Sequence, residues 1–108
     1  DIPGKSNGES AFLYFTRHIQ EGGLYLLDEP ENSLSAALQL ELAQFLEDSV
    51  RFYGCQFVIA THSPFLLALK GAKLYDLDRV PVAPCRWTEV PNVRLFHDFF
   101  QKHSKDFE

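Results

Sequence analysis

Leu24-Tyr25-Leu26-Leu27 is an unbroken apolar run, set between Gly22-Gly23 and Asp28-Glu29-Pro30. A short apolar run bounded by turn residues reads as a strand buried on both faces, the habit of parallel sheets covered by helices. Gln56 to Ala60 repeats the pattern and ends in Thr61-His62-Ser63-Pro64. Lys73 to Leu77 reads as a third such strand. Between the first two, Leu34, Leu38, Leu42, Phe45, Leu46 and Val50 recur at spacings of three and four. This predicts a helix from Asn32 to Tyr53, capped by Ser33 or Ser35 and ended by Gly54. Another helix is predicted from Glu9 to Gln20, with Phe12, Tyr14, Phe15 and Ile19 on a broad apolar face. Ser63 and Pro64 open a short helix over Phe65 to Lys70. Residues 78–91 hold three prolines and read as a loop, followed by a terminal helix over Val93 to His103 with Val93, Phe96 and Phe100 on one side. Strands alternating with helices define an α/β class with parallel strands.

In such sheets ligands gather at the carboxyl ends of the strands. Asp28 and Glu29 end the first strand, and His62 ends the second. One carboxylate there can hold a hydrated Mg²⁺, which takes few protein ligands. The other can orient or deprotonate an attacking water. Strand alternation would send the two to opposite faces, but a strand end can splay both toward one ligand. The imidazole of His62 can hydrogen-bond a phosphate. The plain alternatives are a solvated Asp-Glu turn and a histidine that bonds its own turn. Ser6-Asn7-Gly8-Glu9-Ser10 opens the first predicted helix. Helix N-termini attract anions, and Gly8 permits close approach of a phosphate. The same residues also suit an ordinary cap.

Composition narrows the class. The 108 residues are 45% hydrophobic, enough for a core. Net charge is −5, so there is no blanket attraction to nucleic acid or membranes. Nucleic acid stays possible as a partner through a local basic patch. Cys55 and Cys85 lie in no metal-ligand spacing and read as free cytosolic thiols. No apolar stretch approaches the roughly 18 residues of a membrane helix, and a cytoplasmic location is expected. The chain contains no Met and begins at Asp1 in motif-like sequence. A fragment of a longer protein is the expectation.

Ser-Asn-Gly-Glu-Ser, then Leu-Leu-Asp-Glu-Pro-Glu, then Ile-Ala-Thr-His-Ser-Pro resembles, in that order, the C-terminal half of an ABC-type ATPase domain. The matching elements are the signature motif, Walker B with its glutamate, and the switch histidine. The resemblance covers about residues 5–77, with residues 78–108 as a C-terminal extension of the same domain. More loosely, the chain is similar to small soluble "AAA family" ATPases related to chromosome-maintenance and recombination-repair ATPases. The resemblance implies a partial P-loop NTPase fold in three layers, with the Walker A half missing. It implies Mg²⁺ and ATP as cofactors, with Asp28 supporting the metal. Glu29 would polarise the attacking water, and His62 would contact the γ-phosphate. Ser6, Gly8 and Glu9 would contact nucleotide bound to the opposite subunit of a homodimer. Asn32, Ser33, Leu34 and Ser35 would be the D-loop along that interface. Ser35 stands where transporter D-loops usually carry Asp. The signature also departs from Leu-Ser-Gly-Gly-Gln, which, with Glu31, leans toward a soluble ATPase.

Pro3-Gly4-Lys5-Ser6 imitates the end of a P-loop, but only about twenty residues and one helix separate it from Asp28. Walker A and Walker B are normally separated by more chain and at least one further strand, so Ser6 is assigned to the signature. The chain is then expected to need a missing N-terminal half and to be inactive alone. Left without flanking strands, it would expose apolar faces. A non-catalytic binding or regulatory module on the same fold is the alternative. A serine hydrolase lacks its Gly-x-Ser-x-Gly elbow, and a nuclease lacks further carboxylates.

Overall fold

The structure, a computed structural model, describes Leu13 and residues 16–108. Half of the helix predicted over Glu9 to Gln20 lies outside these residues. So do Ser6, Gly8, Glu9 and the Pro3–Ser6 stretch. Thr16 and Arg17 are helical, and Thr16 Oγ1 donates to the Leu13 carbonyl at 3.2 Å. The chain forms two compact units, one ending at Lys70 and one from Gly71 to Glu108.

In the first unit, strand β1 (Leu24–Asp28) pairs in parallel with β2 (Gln56–Ala60), with Leu24 opposite Gln56 and Asp28 opposite Ala60. Parallel neighbours need a long crossover. Helix α1 (Ala36–Tyr53) supplies it. It begins at Ala36 rather than Asn32 because the preceding residues close two turns. Asn32 N–H donates to the Glu29 carbonyl at 3.1 Å and Leu34 N–H to the Glu31 carbonyl at 2.9 Å. Of the two candidate caps Ser35 acts, its side chain accepting the Leu38 N–H at 3.2 Å. Gly54 ends the helix at φ 66°, a left-handed conformation that suits glycine. Gly22, at φ 74°, donates its N–H to the Tyr53 carbonyl at 2.7 Å. The Gln56 N–H meets the Gly23 carbonyl at 2.8 Å. These bonds fix the start of both strands beside the end of α1.

The core is Leu42, Ala43 and Leu46 of α1 with Leu66 of α2 (Pro64–Leu67), packed against Leu27, Leu34, Phe57, Ile59 and Leu69. The rings of Tyr25 and Phe57 stack at 5.6 Å. Burial therefore alternates along both strands. Leu24, Leu26 and Val58 are 63%, 76% and 61% exposed. The expectation of strands buried on both faces is corrected: α1 covers one face, and the other is open in these residues.

The second unit corrects the expected third parallel strand. Only Leu74–Tyr75 (β3) is extended, and it pairs antiparallel with Pro84–Cys85 (β4) in a separate two-stranded sheet. The chain turns too early for a longer strand. Asp78 N–H bonds Asp76 Oδ1 at 3.0 Å, and Arg79 N–H bonds the Asp76 carbonyl at 3.2 Å. A short 3₁₀ turn (Trp87–Glu89) leads into helix α3 (Pro91–Lys102), with Pro91 in its first turn. Glu89 caps the 3₁₀ turn by accepting the Arg86 N–H at 2.8 Å. That bond holds the Glu89 carboxyl below its usual range, against slight desolvation and with help from the Arg79 and Arg86 charges. On α3, Val93 is buried, whereas Phe96 and Phe100 of the predicted apolar side are about half exposed.

Candidate functional site

The parallel register brings the carboxyl ends of β1 and β2 side by side. Asp28 faces Ala60 across the ladder, and Glu29 N–H extends the pairing by donating to the Ala60 carbonyl at 2.7 Å. Glu29 then leaves extended geometry, with φ at 47°, and Ser33 follows at 69°. Neither is glycine, and non-glycine residues in this region are uncommon and cluster at functional sites. The turn at Glu29 breaks strand alternation directly after Asp28.

The structure brings Glu29 and His62 together. His62 Nε2 lies 3.8 Å from Glu29 Oε1, with side chains 80% and 44% exposed. The separation is too long for a hydrogen bond. An exposed pair of this kind adds little to stability. Asp28 is exposed at the strand end. Among the described residues no group of three or more His, Cys, Asp or Glu side chains is placed to hold a metal. A lone carboxylate fits Mg²⁺, which keeps several waters and uses one or two carboxylates together with substrate phosphates.

The loop that carries His62 is fixed by groups other than its imidazole. Thr61 Oγ1 donates to Glu31 Oε1 at 2.6 Å, and His62 N–H donates to Glu31 Oε2 at 3.0 Å. Ser63 N–H donates to Thr61 Oγ1 at 3.0 Å. Partial burial pushes the Glu31 carboxyl up. The Thr61 hydroxyl, the His62 N–H, its own N–H and the His62 charge together outweigh burial and hold it below the usual range. Glu31 is thus an anionic clasp between the chain after β1 and the chain after β2. Ser63 occupies the N-cap position of α2 as expected, but it makes no side-chain cap bond. Its hydroxyl instead donates to Gln39 Oε1 of α1 at 2.7 Å.

Sequence reasoning placed Asp28, Glu29 and His62 at adjacent strand ends, and the structure does so. Its apolar spacing put Asn32 to Ser35 in the helix, whereas the resemblance implied a loop there; they form the double turn before α1. It passed over the bonding roles of Glu31 and Gln39. The signal for Gln39 is its position: three and four residues before Leu42 and Ala43, it is a polar group on the buried stripe of α1.

Two parallel strands joined by a helix, with acidic and imidazole groups at their carboxyl ends, form an α/β arrangement compatible with a P-loop fold. A family model described as "AAA domain, putative AbiEii toxin, Type IV TA system" matches residues 6–68. The match spans more than half of the chain and all the site residues named above, and the chain belongs to this AAA-domain family of ATPases. A comparison with curated proteins gave no match. No helix among the described residues is long and apolar enough to cross a membrane.

Proposed function

We propose that this chain is the Walker B, signature and switch-histidine portion of an ABC-type ATPase that hydrolyses ATP with Mg²⁺ and dimerises around it. The observation that carries the reading is the approach of Glu29 Oε1 to His62 Nε2, 3.8 Å apart across neighbouring strand ends. In hydrolysis the water oxygen bonds the γ-phosphorus, the bond to the β–γ bridging oxygen breaks, and its electron pair leaves with ADP. Glu29 orients the water and takes its proton. His62 donates to a γ-phosphate oxygen. Asp28 supports Mg²⁺, which bound with the nucleotide supplies charge neutralisation of the phosphates. A P-loop completes such a site by cradling those phosphates. Ser6, Gly8 and Glu9 reach the nucleotide of a second subunit, and Asn32 to Ser35 run along the contact between subunits. The family match over residues 6–68 supports the coarser reading of a nucleotide-binding ATPase.

The test uses the intact protein. Glu29→Gln is expected to lower the turnover rate by about 10²–10⁴, the worth of general-base help, while ATP still binds and drives dimerisation. Adding Gly8→Asp is expected to abolish the ATP-dependent dimer in sedimentation, because it sets bulk and negative charge against a phosphate. Turnover unchanged in Glu29→Gln removes Glu29 from the base role. A normal ATP-dependent dimer in the Gly8→Asp protein removes the signature assignment.

A further inference from the structure

Thr61, His62 and Ser63 are bound from two sides by groups outside the loop. On one side stands the Glu31 carboxylate, with one oxygen on the Thr61 hydroxyl and the other on the His62 N–H. On the other stands Gln39, whose Oε1 accepts from the Ser63 hydroxyl at 2.7 Å while its Nε2 donates to the Leu34 carbonyl at 3.0 Å. Only the nitrogen end of the amide can serve a carbonyl, so the Leu34 contact fixes the amide orientation and leaves its oxygen for Ser63. Ser63 is 4% exposed. At such a site a lost partner leaves a polar group unsatisfied rather than rehydrated. Thr61 Oγ1 closes the chain of bonds, accepting from Ser63 N–H as it donates to Glu31. The continuous path runs Glu31, Thr61, Ser63, Gln39, Leu34, and it spans from the chain just after Glu29 to the turn that precedes α1.

We infer that Glu31 and Gln39 are positioning residues: their shared bonds to the Thr61-His62-Ser63 loop set His62 against Glu29 and couple that loop to the Asn32–Ser35 turn. Neither touches a reacting group: Glu31 holds the Thr61 hydroxyl and the His62 N–H, and Gln39 holds the Ser63 hydroxyl. The coupling deepens the ATPase reading and rests on it for its catalytic consequence, but not for its geometry. A shift of the 32–35 turn pulls on the Leu34 carbonyl and is passed through the Gln39 amide to Ser63, the residue after His62. Events at the 32–35 turn would therefore reach the histidine without crossing the site itself.

Two measurements on the intact protein test this. The first is amide hydrogen exchange in Gln39→Leu and Ser63→Ala, with Gln44→Ala as control. Gln44 lies on the same helix, and its side chain bonds Asp48 at 3.0 Å rather than the histidine loop. Exchange at the His62 amide, which neither altered side chain contacts, is expected to rise at least about tenfold in both variants and to stay unchanged in the control. The second is turnover: kcat is expected to fall at least about fivefold, with KM for Mg-ATP within about twofold, because a misplaced His62 affects the transition state rather than binding. Unchanged exchange at His62 in both variants overturns the coupling. Raised exchange with unchanged kcat overturns the positioning role. If the unaltered protein releases no phosphate, the ATPase reading fails instead, and the exchange result alone decides whether the coupling exists. Should Gln39→Leu fold poorly, Ser63→Ala removes the same bond with one small truncation.

Discussion

The charge at Glu31 is the most exacting demand the site makes on a single residue. Its carboxylate satisfies a hydroxyl and an N–H at once, and a protonated carboxyl would lose acceptor strength toward both. Its pKa is depressed in the folded chain. A group of this kind stabilises the fold above its unfolded value of about 4.3 and loses that contribution as pH falls through the lower folded value. We therefore predict that the thermal midpoint of the unaltered protein falls more steeply below about pH 4.3 than that of Glu31→Gln, which carries no titrating group there. Parallel curves for the two proteins would show that Glu31 is not held as an anion. Glu29 differs in kind from its neighbour. It sits at a left-handed φ beside an exposed imidazole and stabilises little.

Among the elements, α1 holds the site in place. Its buried stripe of Leu42, Ala43 and Leu46 covers one face of the strand pair, its cap at Ser35 ends the double turn, and Gln39 reaches the histidine loop. Leu46 is 2% exposed. Leu46→Ala should cost about 2–5 kcal/mol in chemical denaturation, with the loss spread over both strand ends. A cost near zero would mean that α1 does not anchor the sheet. The helix was legible in the sequence because its apolar spacing is regular, and the strand ends because apolar runs stop abruptly at polar residues. The start of α1 was misread by four residues, since Asn32 and Ser33 fit a helix by type and only the turn bonds to Glu29 and Glu31 exclude them. The strand over Lys73 to Leu77 was misread for a similar reason. Its apolar residues suit a buried strand, while the turn at Asp76 and the antiparallel partner at Pro84–Cys85 depend on contacts that periodicity does not carry. The pairing of Glu29 with His62 needed only the order of strands and ends. The Glu31 clasp needed the register.

For the whole molecule, the open sheet face sets the terms. Leu24, Leu26 and Val58 form an exposed apolar row on a parallel pair, and parallel strands are normally covered on both sides. This agrees with the expectation that the chain exposes apolar faces on its own. In the proposed reaction Glu29 and His62 act on one phosphate from neighbouring strand ends. The direct measurement is a double-mutant cycle on phosphate release by the intact protein, with Glu29→Gln, His62→Ala and the two together. Groups that serve one step are strongly non-additive, so the double variant is predicted to be no slower than Glu29→Gln alone. Losses that multiply across the cycle, or a His62→Ala protein as fast as the unaltered one, would contradict a shared site.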